Sequence, residues 1–343
     1  MSKTGQIVSV NPAAAIEGGE VAIECEDYDT SNLRLCKAVF GDKEGWLVGA
    51  SPRRVLAIVP ELEGGGDVTL TLESGDAQKT NPARIIVGRK LAEDLHLVDS
   101  PAFDPDDGSL YVTRSGSRGQ RMPISLFRID ASGELLSMHG EIVNPTGIAF
   151  DRTGQMYVTS RMDGTVYRVT HFNEVIPFAQ NLGIATGLAF DREGRMYVGD
   201  RTGTIHRINS IGEAHEWAQL EPSVAAYHLA FGADDALYVT GPTVSSYEAV
   251  MRLDESGVAE VFYRGLGRPH GLAFDREGNL YVAATLRGRR GIVRISPDGS
   301  DAELAVAGMN VVGLAFSAEG EMVVATNEAV YSLPLGIRGT LVG

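Results

Sequence analysis

Six times along the chain a phenylalanine sits inside nearly the same phrase, clearest as GIAFDRTGQMYV at 147–158, GLAFDREGRMYV at 187–198 and GLAFDREGNLYV at 271–282. Weaker copies are PAFDPDDGSLYV at 101–112, HLAFGADDALYV at 228–239 and GLAFSAEGEMVV at 313–324. The marker residues Phe103, Phe150, Phe190, Phe231, Phe274 and Phe316 stand 47, 40, 41, 43 and 42 residues apart. Two short alternating β runs joined by a Gly or Asp turn, followed by more β sequence at a period in this range, spell out a propeller blade.

Within each phrase, Gly-x-Ala-Phe-Asp predicts a short innermost strand whose small residues suit the crowded axis, with Phe turned into the packing between neighbouring blades. Asp-x-x-Gly turns the chain, and Leu or Met, Tyr and Val form the second strand. Segments such as 165–169 and 204–208 supply a third strand, and 174–178 and 260–263 an outer fourth. The last repeat has only three strands, ending near Leu333, so residues 89–96 are expected to complete it and so to hide sheet edges that invite aggregation.

Residues 1–88 carry no such phrase. Alternating runs at 7–10, 21–24, 38–40, 55–59, 68–72 and 84–87, separated by Pro, Gly and Asp turns, predict a small β-sandwich. The opening Ile7-Val8-Ser9-Val10-Asn11-Pro12, Gly18-Gly19-Glu20-Val21, the strand end Val39-Phe40-Gly41, the Val55–Val59 strand closing at Pro60, and Gly66-Asp67-Val68 together resemble the IPT/TIG immunoglobulin-like family. Cys25 stands where that family often has glycine. The expected fold is therefore all-β: an immunoglobulin-like sandwich over 1–88, then a six-bladed propeller over 89–343. The first domain would be a docking site for a protein partner or a spacer.

At 343 residues and 43% hydrophobic content, two domains with real cores are affordable. A net charge of −15 argues against nucleic acid or an anionic membrane as the main partner. No apolar run approaches the roughly 18 residues of a membrane span, and Met1–Gly5 leads into a strand without a signal-peptide core, so the sequence reads as cytoplasmic. The two cysteines, Cys25 and Cys36, are either buried thiols or a disulfide.

In a propeller, the starts of the innermost strands and the loops after the second strands emerge on one face, around the channel. The first column holds Asp99, Thr146, Thr186, Tyr227 with His228, His270 and Val312. The second holds Thr113-Arg114, Ser160-Arg161, Asp200-Arg201, Gly241-Pro242-Thr243, Ala284-Thr285 and Thr326-Asn327. The phrases resemble NHL repeats and, more broadly, the regucalcin/gluconolactonase family of six-bladed propellers. That resemblance implies a divalent cation at the axis, held by an acidic residue of a Glu-x-Pro element and by Asn or Asp ahead of later inner strands. Asp99-Ser100-Pro101 matches the first element, but Thr146, Thr186 and His270 occupy the other places. Threonine hydroxyls are poor donors for a hard cation, so a Ca²⁺ site is expected to be weak.

Asp99 is placed to orient or charge one of the two channel histidines, a general-base arrangement. A transition-metal ligand is the other functional role open to those histidines, and a packing or hydrogen-bonding role the structural one. No clustered Cys/His spacing supports the metal.

Departures from the repeat mark candidate function, since scaffold residues should follow its period. Residues 114–121 lengthen the first blade, 221–228 alter the approach to the fourth, and 241–247 replace its loop. With Arg114, Arg161, Arg201 and Arg268 they predict a polar pocket for a small anionic or polyhydroxylated ligand, to which Thr146, Thr186, Asp200, Tyr227, His228 and Thr243 would contribute. The alternative for any single arginine is an ion pair with Asp200 or a neighbouring carboxylate. Two functions compete: hydrolysis of a lactone or similar ester, with Asp99 and His270 as the catalytic residues, and a non-catalytic NHL-type binding or interaction module. Fold does not choose between them.

Overall fold

The computed structural model of the chain describes residues 5–75, 78–116, 120, 122–130, 132–138, 142–245 and 247–340. Ser117, Arg118, Gly119 and Arg121 of the first-repeat insertion, Ser246 of the fourth-repeat loop, and residues 1–4 lie outside them. The protein is all-β, and one 3-10 turn at Leu33–Leu35 is the only helix among the described residues. No helix of the described residues is long and apolar enough to cross a membrane.

Each phenylalanine phrase opens an antiparallel meander. Pro145–Phe150, Met156–Ser160, Thr165–Val169 and Val175–Ala179 form one four-stranded sheet, and Ala185–Phe190, Met196–Asp200, Thr204–Ile208 and Ala214–Gln219 the next. Ala102–Phe103, Leu110–Thr113, Leu126–Ile129 and Leu135–Ser137 form a third. In the last repeat Val311–Phe316, Met322–Thr326 and Val330–Leu333 are joined by Arg89–Ala92, which runs antiparallel to the third strand with Arg89 opposite Ser332 and Lys90 opposite Tyr331. The fourth and fifth repeats pair in the same order, His228–Phe231 through Ala259–Gly267 and Leu272–Phe274 through Ala302–Ala307. They are linked to each other where Leu266 meets Leu286. The inner strands lie side by side in sequence order, and that of the last repeat returns to that of the first, so they surround an axis.

In the three clearest phrases the turn that reverses the chain is built by the Asp after the Phe. Asp151 Oδ1 accepts the N–H groups of Thr153 (2.8 Å) and Gln155 (3.1 Å), and Gly154 takes the positive φ of 74° that the reversal needs. Asp191, Asp275 and, in the last repeat, the hydroxyl of Ser317 do the same. The phrase Phe then packs on the Tyr of the preceding repeat. Tyr111–Phe150, Tyr157–Phe190, Tyr197–Phe231, Tyr238–Phe274 and Tyr281–Phe316 have centroids 5.5, 5.4, 5.1, 4.8 and 5.2 Å apart with steeply tilted or edge-to-face planes. Each such pair contributes about 0.5–1.5 kcal/mol beyond its buried area. At the closing junction Val323 stands where the tyrosine would be, and Phe103 packs against an aliphatic cluster that includes it.

The N-terminal strands include all the runs read from the sequence, with two short additions, Ala14–Ala15 and Gln78–Lys79, and one long one, Lys43–Ala50. Its Trp46 is 74% exposed, so no alternating core pattern announced it. Gln6–Asn11, Glu20–Glu26, Arg54–Ile58 and Lys43–Ala50 pair in that order, and Lys43–Ala50 continues through Lys37–Phe40 and Gly66–Ser74 to Ala83–Val87. Phe40, Leu70, Leu72, Ile23, Val55 and Ile85 are buried between them. Cys25 and Cys36 are both free and buried there; burial, with Glu24 adding to it, pushes the Cys25 thiol up to about 11.

These strands are not held off by a linker. Ala14–Ala15 pairs in parallel with Ala83–Val87 on one side and, through Ala15 and Ala307, with the fifth repeat on the other. Ile16, fully buried, enters the cluster of Tyr281, Phe316, Tyr331 and Leu333, while the Arg289 guanidinium donates to Asn11 Oδ1 (2.8 Å) and the Asn11 carbonyl (2.6 Å). Gly19 lies so close to the Ala307 carbonyl that a Cβ would come within 2.4 Å of it. The two parts therefore share a core, and Ile16→Ala is expected to destabilise by about 2–5 kcal/mol. In chemical denaturation followed by tryptophan fluorescence and circular dichroism, that loss should move the N-terminal and propeller signals together.

Candidate functional site

Near the axis the repeat leaves no room for side chains. Gly147, Gly187, Gly271 and Gly313 start the inner strands, and a Cβ on any of them would come within 3 Å of a group on a neighbouring inner segment: Leu188, the Tyr227 carbonyl, Ser100 Oγ and the Ser100 backbone respectively. Two repeats break this rule, since the positions aligned with these glycines are Ser100 in the first and His228 in the fourth. The His228 imidazole is 1% exposed, and Nδ1 lies 2.6 Å from Oδ1 of Asp99, itself 6% exposed. The same carboxylate oxygen accepts the Ser100 N–H at 2.7 Å. Asp99 precedes the first inner strand and His228 begins the fourth, so the bond runs across the axis. His228 Nε2 is buried without a hydrogen-bond partner.

Of the two channel histidines, it is His228 and not His270 that is bonded to Asp99. The His270 ring stands edge-on to that of His228, centroids 5.7 Å apart. Burial, then His228, then the Arg268 guanidinium lower the His270 pKa to about 3, so it is neutral near pH 7 and a weak base.

Two cavities lie on opposite sides of the Asp99–His228 bond. On the face where inner strands begin, about 460 Å³ is bounded by Arg268, His270, Thr285, Arg290, Asn310 and Asn327. On the face of the Asp-x-x-Gly turns, about 250 Å³ is walled by the repeated Leu, Ala and Phe side chains, with Asp99 and His228 at its inner end. Sequence reasoning missed Arg290, Asn310 and Asn327 as cavity residues. Asn327 is in the expected column, but Arg290 belongs to the hairpin between the second and third strands, which only the ring geometry brings over the channel.

The other expected residues divide. Thr146 Oγ1 donates to the Ala185 carbonyl (3.2 Å), and Thr186 Oγ1 donates to the Gly199 carbonyl (3.0 Å) and accepts the Tyr227 N–H (3.0 Å). Both are 1% exposed and serve as ties between adjoining backbone segments rather than as ligand contacts. Asp200 accepts N–H groups from Ile184 (2.9 Å) and Thr202 (3.1 Å) and the Thr202 hydroxyl; it closes its own loop and pairs with no arginine. Tyr227 packs its ring between Gly199 and Gly241 and donates to the Glu221 carbonyl.

The segments 221–228 and 241–247 do meet: the Val224 N–H donates to the Pro242 carbonyl (2.7 Å), and both Oε atoms of Glu248 accept the Thr243 N–H at 3.0 Å. They surround a separate cavity of about 340 Å³ that contains neither His270 nor Arg268. Arg161 and Arg201 are near enough that Arg201, after burial, lowers the Arg161 pKa. Arg201 donates to the Ser223 carbonyl at 3.2 Å. Among the described residues Arg114, Arg161, Arg201, Arg268 and Arg290 form no ion pair.

The donors do not suit a calcium ion. Thr146 and Thr186 spend their hydroxyls on backbone, Asp99 is bonded to His228, and among the described residues no group of three His, Cys, Asp or Glu is placed to hold a metal.

No protein-family model matches the sequence. No curated protein matches it either. Solved structures do match in fold. A gluconolactonase from Xanthomonas campestris is 17% identical over 72% of this chain and 89% of its own, with a TM-score of 0.59. The calcium-binding protein regucalcin from Agrobacterium tumefaciens is 19% identical over 74% and 95%, also at 0.59. An auxiliary nutrient binding protein from Bacteroides ovatus is 14% identical over 96% and 98%, at 0.55. At these identities the likeness establishes the propeller fold.

The state of His270 carries a pH dependence. Its folded pKa lies below the unfolded value of about 6.5, so the unfolded chain binds the extra proton. Stability from this group is complete above about pH 6.5 and is lost as pH falls toward 3. We expect urea denaturation to show a loss on the order of 3 kcal/mol across that window, reduced in His270→Gln.

Proposed function

We propose that this is a six-bladed propeller of the gluconolactonase-like kind, built of NHL-type repeats, that handles a small hydroxylated carboxylate on the face where its inner strands begin. The single observation that carries the reading is the 460 Å³ cavity in which the guanidinium groups of Arg268 and Arg290 meet the neutral His270, with no ion pair to satisfy either arginine among the described residues. A carboxylate would take the guanidinium groups. Hydroxyls would use His270, Thr285 and the Asn327 Oδ1, a buried acceptor with no partner. The pairing order of the fourth and fifth repeats supports counting them as blades, and the net charge of −15 supports a ligand other than nucleic acid. The two-layered core of the N-terminal strands supports an IPT/TIG-like sandwich, whose place against the fifth and sixth repeats suits a docking or spacer role. Calorimetry with D-gluconate against D-glucose tests the reading: gluconate should bind preferentially, and Arg268→Ala and Arg290→Ala should each weaken it about tenfold or more without loss of thermal stability.

A second reading, lactone or ester hydrolysis, is favoured by the Asp99–His228 bond, which orients an imidazole whose other nitrogen is free. His228 Nε2 would take a proton from water as its oxygen adds to the carbonyl carbon. It would return that proton to the ring oxygen as the C–O bond breaks, leaving a hydroxy acid. In a lactone panel, turnover should fall at least about 100-fold in His228→Gln and persist in the presence of chelator. Gluconate binding without turnover of any lactone would leave the non-catalytic binding module.

A further inference from the structure

The cavity on the turn face belongs to neither arginine nor loop, and it is independent of the carboxylate site. Its wall is the repeat itself: Phe150, Phe190, Phe231 and Phe274 with Leu188 and Leu272. Such a wall offers an aromatic-rich surface whose charged groups are the carboxylates of Asp99 and Asp151. At its inner end stands His228, which with Ser100 replaces a glycine of the column and is the one of the two that carries a ring; its Nε2 is buried and unpartnered. A repeat that packs the axis with glycine has no structural need of an imidazole there, and an unsatisfied buried polar atom is unfavourable.

The chemistry of the missing partner follows from the other ring nitrogen. Asp99 Oδ1 accepts the Ser100 N–H and faces His228 Nδ1 at 2.6 Å, so the ring turns an Nδ1–H toward that carboxylate, and in its neutral form it presents a lone pair at Nε2. A ligand that donates satisfies that lone pair. An anion is disfavoured by the Asp99 carboxylate, and no basic side chain lines this cavity to hold one. An apolar cavity of about 150 Å³ accommodates benzene, so about 250 Å³ suits a ring bearing a short chain.

We propose that this cavity binds a small uncharged alcohol or phenol, its hydroxyl donating to His228 Nε2 and its apolar body lying among the phenylalanines. The test is calorimetric titration of the full chain at neutral pH with 4-propylphenol, against propylbenzene, which has the same body without the O–H. The phenol should bind about tenfold tighter or better. His228→Leu should abolish that preference while keeping propylbenzene binding, Ala315→Phe should block both by filling the wall, and Arg268→Ala should change neither. Equal affinity or no binding in the native chain overturns the proposal. So does a preference that survives His228→Leu, binding that survives Ala315→Phe, or binding lost in Arg268→Ala. Should His228→Leu fail to fold, the native comparison and Ala315→Phe, checked for an unchanged melting temperature, decide.

Discussion

The ring stands on a contact between aromatic side chains of successive repeats. At five junctions the Phe of one phrase packs on the Tyr of the phrase behind it, so those junctions are made from the same two positions read one period apart. Because the partners come from different sheets, the pairing fixes how one sheet rotates against the next. It also places the small residues of the inner strand at the axis, where four glycines permit an approach that any Cβ would obstruct. Where the pattern lapses, at Val323, the chain is held by Arg89–Ala92 crossing from the N-terminal side to pair with Val330–Leu333.

That packing determines where chemistry can lie. With most of the axis filled by glycine backbone, the one imidazole in that column divides the channel: His228, locked to Asp99 across the ring. The two sides then differ in kind. One side carries guanidinium groups, amides and a histidine kept neutral chiefly by burial. The other is lined by the same phenylalanines that hold the ring together. Scaffold and cavity wall are thus the same side chains on the turn face, whereas on the opposite face the loops are free to carry polar groups. The N-terminal strands add to the scaffold, since Ile16 and Arg289 join them to the fifth and sixth repeats through shared core and shared hydrogen bonds.

The sequence by itself determined the repeat, its strand order and the turns, because these depend on residues a few positions apart: Asp151 and Gln155, Gly147 and Phe150, Tyr157 and Val158. It also placed His228 and His270 in the column that precedes the inner strands. What it could not determine was which residues of distant repeats face each other. Asp99 and His228 are 129 positions apart, and a period says that both lie near the axis without saying that they touch. Column membership left open which of His228 and His270 Asp99 would orient. Tertiary structure selected His228, because its ring projects from the glycine position into the axis while the His270 backbone N–H is tied to the Ala283 carbonyl. Thr146, Thr186 and Asp200 had column positions as favourable as any, yet backbone groups of adjoining segments claimed their oxygens first. Such competition for hydrogen-bond partners is settled by three-dimensional neighbours, which local sequence does not contain.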